Sequence, residues 1–162
     1  MIRVPCRDQR VFSGDPERTA LVVIDMQRDF CSPDGACARA GEDVRPLQAI
    51  VPLLAKVVSA ARSAGLTLIH TREGHLPDLS DLPAAKQARS TAAGAPIGAP
   101  GPLGRTLVRG EYGHDFIDEL RPLAGEGVFD KPGFGAFYRT ELDAYLRVWK
   151  VMHPDARVEI SS

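Results

Sequence analysis

Apolar residues follow two rhythms along this chain. TALVVID (19–25) is a continuous apolar run, rich in β-branched residues and closed by a charge. A run of that kind suits a strand covered on both faces, as in a parallel sheet. From Leu47 the rhythm changes: Leu47, Ile50, Val51, Leu54, Val57, Val58 and Ala61 recur at helical spacing. Pro46 sits near the expected start of that helix, and Gly65 lies where a left-handed C-terminal cap belongs. LTLIH (66–70) then returns to a strand pattern. Strand, helix and strand in this order predict a βαβ unit, hence a parallel sheet with a right-handed crossover. GVFDK (127–131) reads as a third core strand. Thr140 is placed to cap a last helix carrying Leu142, Tyr145, Leu146 and Trp149 on one face. Leu107 and Val108 suggest a short strand, and residues 114–120 a helical turn.

Residues 71–105 carry no strong period and hold prolines at 77, 83, 96, 100 and 102, with glycines at 74, 94, 98, 101 and 104. A segment of this kind is either a lid or binding loop, or a disordered linker.

Length and composition narrow the class without naming a function. The 162 residues are enough for one domain with a proper core. With 44% hydrophobic and 25% charged residues and a net charge of −1, nothing electrostatic favours nucleic acid or an anionic membrane as partner. No apolar run approaches the roughly 20 residues of a membrane span. The N-terminal MIRVPCRDQRVF lacks the apolar stretch of a signal peptide, so a cytoplasmic protein is expected. Cys6, Cys31 and Cys37 fit a reducing compartment better than a disulfide framework.

The candidate chemistry lies at strand ends. Asp25 closes the first strand, and ligands of open parallel sheets bind outside the carboxyl ends of strands. An aspartate that merely starts a turn reads equally well there. Lys131 closes another predicted strand, and Pro132 after it favours an extended backbone. Taken alone it is a solvated strand end; beside Asp25 it would form an ion pair in one cleft and keep the acid ionised. His70 reads as a strand-end residue and His75 as a loop residue facing the cleft. With Asp78 and Asp81 downstream they lack good metal-ligand spacing, so no metal is expected. GAPGPLG (98–104) lacks the strand-to-helix setting of a phosphate loop, and no Gly-x-Ser-x-Gly elbow is present.

Taken together, these stretches carry a resemblance. LVVIDMQRDF (21–30) resembles the opening signature of the isochorismatase-like cysteine hydrolases, and KPGFGAF (131–137) is similar to their second signature. HTREGHLPDLSDLPAAK (70–86) and LVRGEYG (107–113) resemble the biuret hydrolase and ureidoacrylate amidohydrolase branch. The likeness runs from about Thr19 to Arg147, leaving residues 148–162 as a divergent tail on a single isochorismatase-like domain.

The resemblance implies an α/β fold, a doubly wound parallel sheet in three α/β/α layers. It implies a cysteine thiolate attacking a small amide or ureide, with Asp25 moving the proton and Lys131 holding the pair. Phe30 would match an aromatic at the pocket wall, although core packing explains it equally well. No cofactor is implied; the partners are a small amide or ureide substrate, with neither nucleic acid nor membrane. In the family a further strand follows and leads to the nucleophilic cysteine at a helix N-terminus. VWKVMHPDARVEISS (148–162) does not resemble that strand and contains no cysteine. The expectation is therefore a C-terminally truncated copy that keeps Asp25 and Lys131 and lacks the nucleophile. The alternative is an inactive pseudoenzyme that binds a ligand or a partner. Cys31, followed by Ser32 and Pro33 rather than a helix start, is a poor substitute. Losing the strand beside it would leave residues 21–25 as an apolar sheet edge, prone to self-association or homo-oligomer formation.

Overall fold

The structure, a computed structural model, describes residues 1–5 and 7–148, so Cys6, Trp149 and the tail fall outside the described residues. An antiparallel hairpin of β1 (Ile2–Pro5) and β2 (Val11–Gly14) leads into β3 (Ala20–Ile24). Two single-turn helices follow, α1 (Arg28–Cys31) and α2 (Ala36–Arg39), then the long α3 (Arg45–Ser63). Pro46 lies in the first turn of α3, and Gly65 beyond its end takes φ +71°. Both are the conformational roles their residue types suit.

β4 (Thr67–Glu73) comes next, followed by α4 (Ala84–Ala92) and a small ribbon of β5 (Pro100–Gly101) and β6 (Gly104–Arg105). The described chain ends with β7 (Gly127–Lys131) and α5 (Leu142–Val148). Thr140 Oγ1 accepts from the Leu142 amide at 3.3 Å, as a cap should.

β3, β4 and β7 form one sheet in that order, and both pairings are parallel. Val23 lies opposite His70, and Glu73 opposite Lys131. The carboxyl ends of all three strands therefore meet at one end of the sheet. α3 covers one face, where Val23 and Leu68 pack with Val51, Val58 and Ala61. α5 covers the other through Leu142 and Leu146 against Ile69, with Ala20, Phe129 and Tyr145 around them. This is the layered α/β arrangement expected of parallel strands.

Covering is incomplete on the α5 side. Val22 and Ile24 follow Ala20 on that face of β3, yet Ile24 is 60% exposed. The sequence pattern predicted burial on both faces; α5 reaches only the first residue of that face. Among the described residues no strand pairs with the outer side of β3. On α3, too, the apolar stripe is wider than its buried face: Leu47, Ile50, Leu53 and Val57 are exposed.

The segment 71–105 is more structured than its lack of period suggested. α4 buries no apolar side chain among its nine residues, only Lys86, so it offers no stripe to read. The short strand expected at Leu107 and Val108 reduces to one bridge between His75 and Val108, because Leu107 takes φ +50°. The expected turn at 114–120 is a 3-10 turn over Asp118–Leu120. Among the described residues no helix is long and apolar enough to cross a membrane.

Candidate active site

Asp25 follows β3 with φ +55°, a left-handed conformation that L residues rarely adopt and aspartate tolerates better than most. Its amide donates to the Thr71 carbonyl at 3.1 Å, which closes the turn against β4. Turned this way, the carboxylate accepts from Thr71 Oγ1 at 2.7 Å with one oxygen. The other oxygen meets Lys131 Nζ at 2.6 Å. A fifth of the Asp25 side chain remains open to solvent, 19%, against 1% for Lys131.

Lys131 is buried within a row of alternating charges. Its ammonium also lies 3.5 Å from Glu73 Oε2 and donates to the Gly133 carbonyl at 3.1 Å. Glu73 Oε1 in turn receives Lys86 Nζ at 2.7 Å, and Lys86 donates to the Pro132 carbonyl at 2.8 Å. The order Asp25, Lys131, Glu73, Lys86 gives every buried charge an opposite neighbour, which desolvated ions require. Glu73 and Lys86 were not singled out by sequence reasoning. The signal available was Glu73 opposite Lys131 in register, which becomes visible only once the sheet order is known.

The rest of LVVIDMQRDF builds the frame. Gln27 is fully buried; its Nε2 donates to the carbonyls of Glu73 (2.9 Å) and His114 (2.8 Å), and its Oε1 accepts from the Glu73 amide (2.7 Å). One amide thus ties the end of β4 to the 107–116 loop. Asp29 is buried too and accepts from the Leu107 amide at 2.9 Å; burial raises its pKa. A Cβ on Gly113 would lie 2.5 Å from Asp29 Oδ1, so LVRGEYG needs its last glycine for close approach.

The histidines stand apart from the Asp25–Lys131 pair. His70 was expected at a strand end, but β4 runs on to Glu73 and leaves His70 buried mid-strand, 2.8 Å from Glu126. His75, expected as a loop residue facing the cleft, follows β4 and is buried, with its Nδ1 3.1 Å from Asp81 Oδ1. Asp78 instead caps the Ser80 amide at 3.0 Å. No group of three His, Cys, Asp or Glu suited to a metal occurs among the described residues.

Cys31 ends α1, buried in the main core, where burial first of all pushes its thiol up to about 11. Burial also raises Cys37. Both shifts disfavour the thiolate a nucleophile needs. Phe30 is half-buried and packs against the same core.

A buried lysine thus stands against a partly open carboxylate at the carboxyl ends of parallel strands, the end of such a sheet where ligands generally bind. Comparison with known proteins agrees with the setting. The isochorismatase domain family matches residues 19–152. The chain is 32% identical over 157 residues to ureidoacrylate amidohydrolase RutB of Serratia proteamaculans, covering 94% of this chain and 62% of the relative. A cysteine hydrolase from Pseudomonas syringae pv. phaseolicola superposes with TM-score 0.65 at 27% identity, over 86% of this chain and 58% of the other. An isochorismatase family protein from Desulfovibrio vulgaris gives 0.61 at 30% identity, over 80% and 60%. The chain thus spans about three fifths of the length of the relatives it matches. With strand order, signature residues and relatives in agreement, the chain belongs to the isochorismatase family.

Proposed function

We propose that this site serves the hydrolysis of a C–N bond in a small amide or ureide, with Asp25 and Lys131 as two members of a cysteine, aspartate and lysine triad. The observation that carries the proposal is the 2.6 Å contact between Asp25 Oδ2 and Lys131 Nζ, at the carboxyl ends of the two strands that flank β4. In the reaction, Asp25 takes the thiol proton as sulfur bonds to the carbonyl carbon, and returns it to the nitrogen as the C–N bond breaks. Water then attacks the thioester carbon, losing a proton to Asp25; the C–S bond breaks, and the departing sulfur takes that proton back as thiol. Lys131 holds the carboxylate in place and offsets its charge. Phe30, with part of its surface outside the core, supplies an aromatic wall to the pocket.

The thiol is the part this chain supports least. Burial and the raised pKa of Cys31 and Cys37 favour a second reading, in which the chain by itself binds the amide without turning it over. Hydrolysis of ureidoacrylate and of biuret by the purified chain is expected at background, since buried thiols with raised pKa are poor nucleophiles and covalent catalysis is worth several orders of magnitude in rate. Turnover that vanishes on alkylation and in Cys31→Ala would instead make Cys31 the nucleophile. Ligand binding that Asp25→Asn leaves unchanged would remove Asp25 from the site.

A further inference from the structure

One cation does not fix a carboxylate. The carboxyl group of an aspartate turns about a broad, roughly two-fold torsion, and an ammonium, a compact charge on a flexible stem, sets no plane for it. The second oxygen of Asp25 supplies the missing constraint: Oδ1 accepts from Thr71 Oγ1 at 2.7 Å, while Oδ2 meets Lys131 Nζ at 2.6 Å. Thr71 lies in β4, the middle strand, opposite Ile24 in register, and is fully buried. Being β-branched it is stiff at χ1, so its hydroxyl is itself held in one direction. Its carbonyl also accepts from the Asp25 amide at 3.1 Å, and the Asp25 carbonyl accepts from the Gln27 amide at 2.8 Å. The residue with φ +55° is thus held on its backbone and on its side chain by the same threonine.

We propose that Thr71 is a positioning residue for Asp25: its hydroxyl, acting with Lys131, fixes the plane of the carboxylate before a ligand arrives. The proposal rests on the amide and ureide reading given above. A hydroxyl has a single proton to donate, and that of Thr71 goes to Asp25 Oδ1. Lys131 cannot do this alone, because its ammonium is shared among Asp25, Glu73 and the Gly133 carbonyl. Held at both oxygens, the carboxylate meets an N–H of the ligand already oriented, so its ordering is completed on folding and not on binding. Released from Thr71, it would keep its charge and its lysine and lose its direction.

The test is an equilibrium titration of the full chain with biuret, in variants that separate the hydroxyl of Thr71 from its methyl group. Thr71→Val keeps the shape and loses the donor, whereas Thr71→Ser keeps the donor and loses the methyl. Thr71→Val should weaken biuret binding about tenfold, the order of one hydrogen bond to a charged group, and Thr71→Ser should bind as the parent chain does. Urea midpoints supply the control. Both variants should fall below the parent, since one loses a buried hydrogen bond and the other opens a small cavity. A purely structural threonine would make affinity follow the midpoint; a positioning one makes it follow the hydroxyl. Where Thr71→Val does not fold, Thr71→Ala set against Thr71→Ser isolates the same hydroxyl. If Asp25→Asn weakens binding but Thr71→Val does not, or if Thr71→Ser loses as much as Thr71→Val, the assignment of Thr71 alone is overturned. If the parent chain does not bind biuret, or Asp25→Asn binds it equally well, the amide reading of the site falls and the assignment with it.

Discussion

At the scale of single residues, the row Asp25, Lys131, Glu73, Lys86 is where most is at stake. Each buried charge depends on its neighbour, so truncating one leaves another unpaired in a desolvated place. Lys86→Met is expected to destabilise the chain by about 3–5 kcal/mol in urea unfolding, the usual consequence of breaking a buried pair. Glu73→Gln alone would leave two lysines facing each other. The double variant should cost clearly less than the sum of the singles, and additivity within ~0.5 kcal/mol would show that the two charges act independently. Asp25 and Lys131 were legible in the sequence because each closes an apolar run with a charge. Glu73 and Lys86 were not. One is a strand-end acid among several in that stretch, and the other is a lysine on a helix with no apolar stripe. Their meaning comes from register, which one sequence does not display.

At the scale of elements, the three parallel strands and the long helix were readable because their apolar patterns match the periods of strand and helix. α4 was not, since a polar contact holds it in place. The burial of β3 was overestimated for a related reason. A continuous apolar run reports what a strand can bury, whereas the described elements cover only the face toward α3 and the first residue of the other. Among the described residues no strand pairs with the edge beside Val22 and Ile24, which leaves backbone donors and acceptors flanked by apolar side chains, a template for pairing with another chain. Self-association through β3 is the expected outcome. Ile24→Lys should therefore shift sedimentation towards smaller species, because a lysine on an edge blunts such pairing. An unchanged distribution would place association elsewhere, for instance on the exposed stripe of α3.

For the whole molecule, acid is the condition that should separate folded from unfolded chain most sharply. Burial holds His114 at about 4 against an ordinary 6.5. Between those values the unfolded chain takes up a proton that the folded chain refuses. Stability is thus fully present above pH 6.5 and falls as pH approaches 4, by on the order of 3 kcal/mol from this group. Burial lowers His70 and His75 as well, adding in the same direction. For Glu126, burial pushes the pKa up, but hydrogen bonds from Arg62, the Leu123 amide and His70 outweigh it and hold the group at about 2. Its contribution is present above 4.5 and lost as pH falls towards 2. The urea midpoint should drop steadily below pH 6.5, and His114→Gln should flatten the first part of that slope. The Lys86 anchor has one more consequence, which concerns time. A helix held by a buried ion pair does not swing aside readily, so α4 is a fixed wall and not a gate. Ligand exchange should then be a single encounter whose observed rate rises linearly with ligand concentration. A rate that levelled off would mean that the wall opens first.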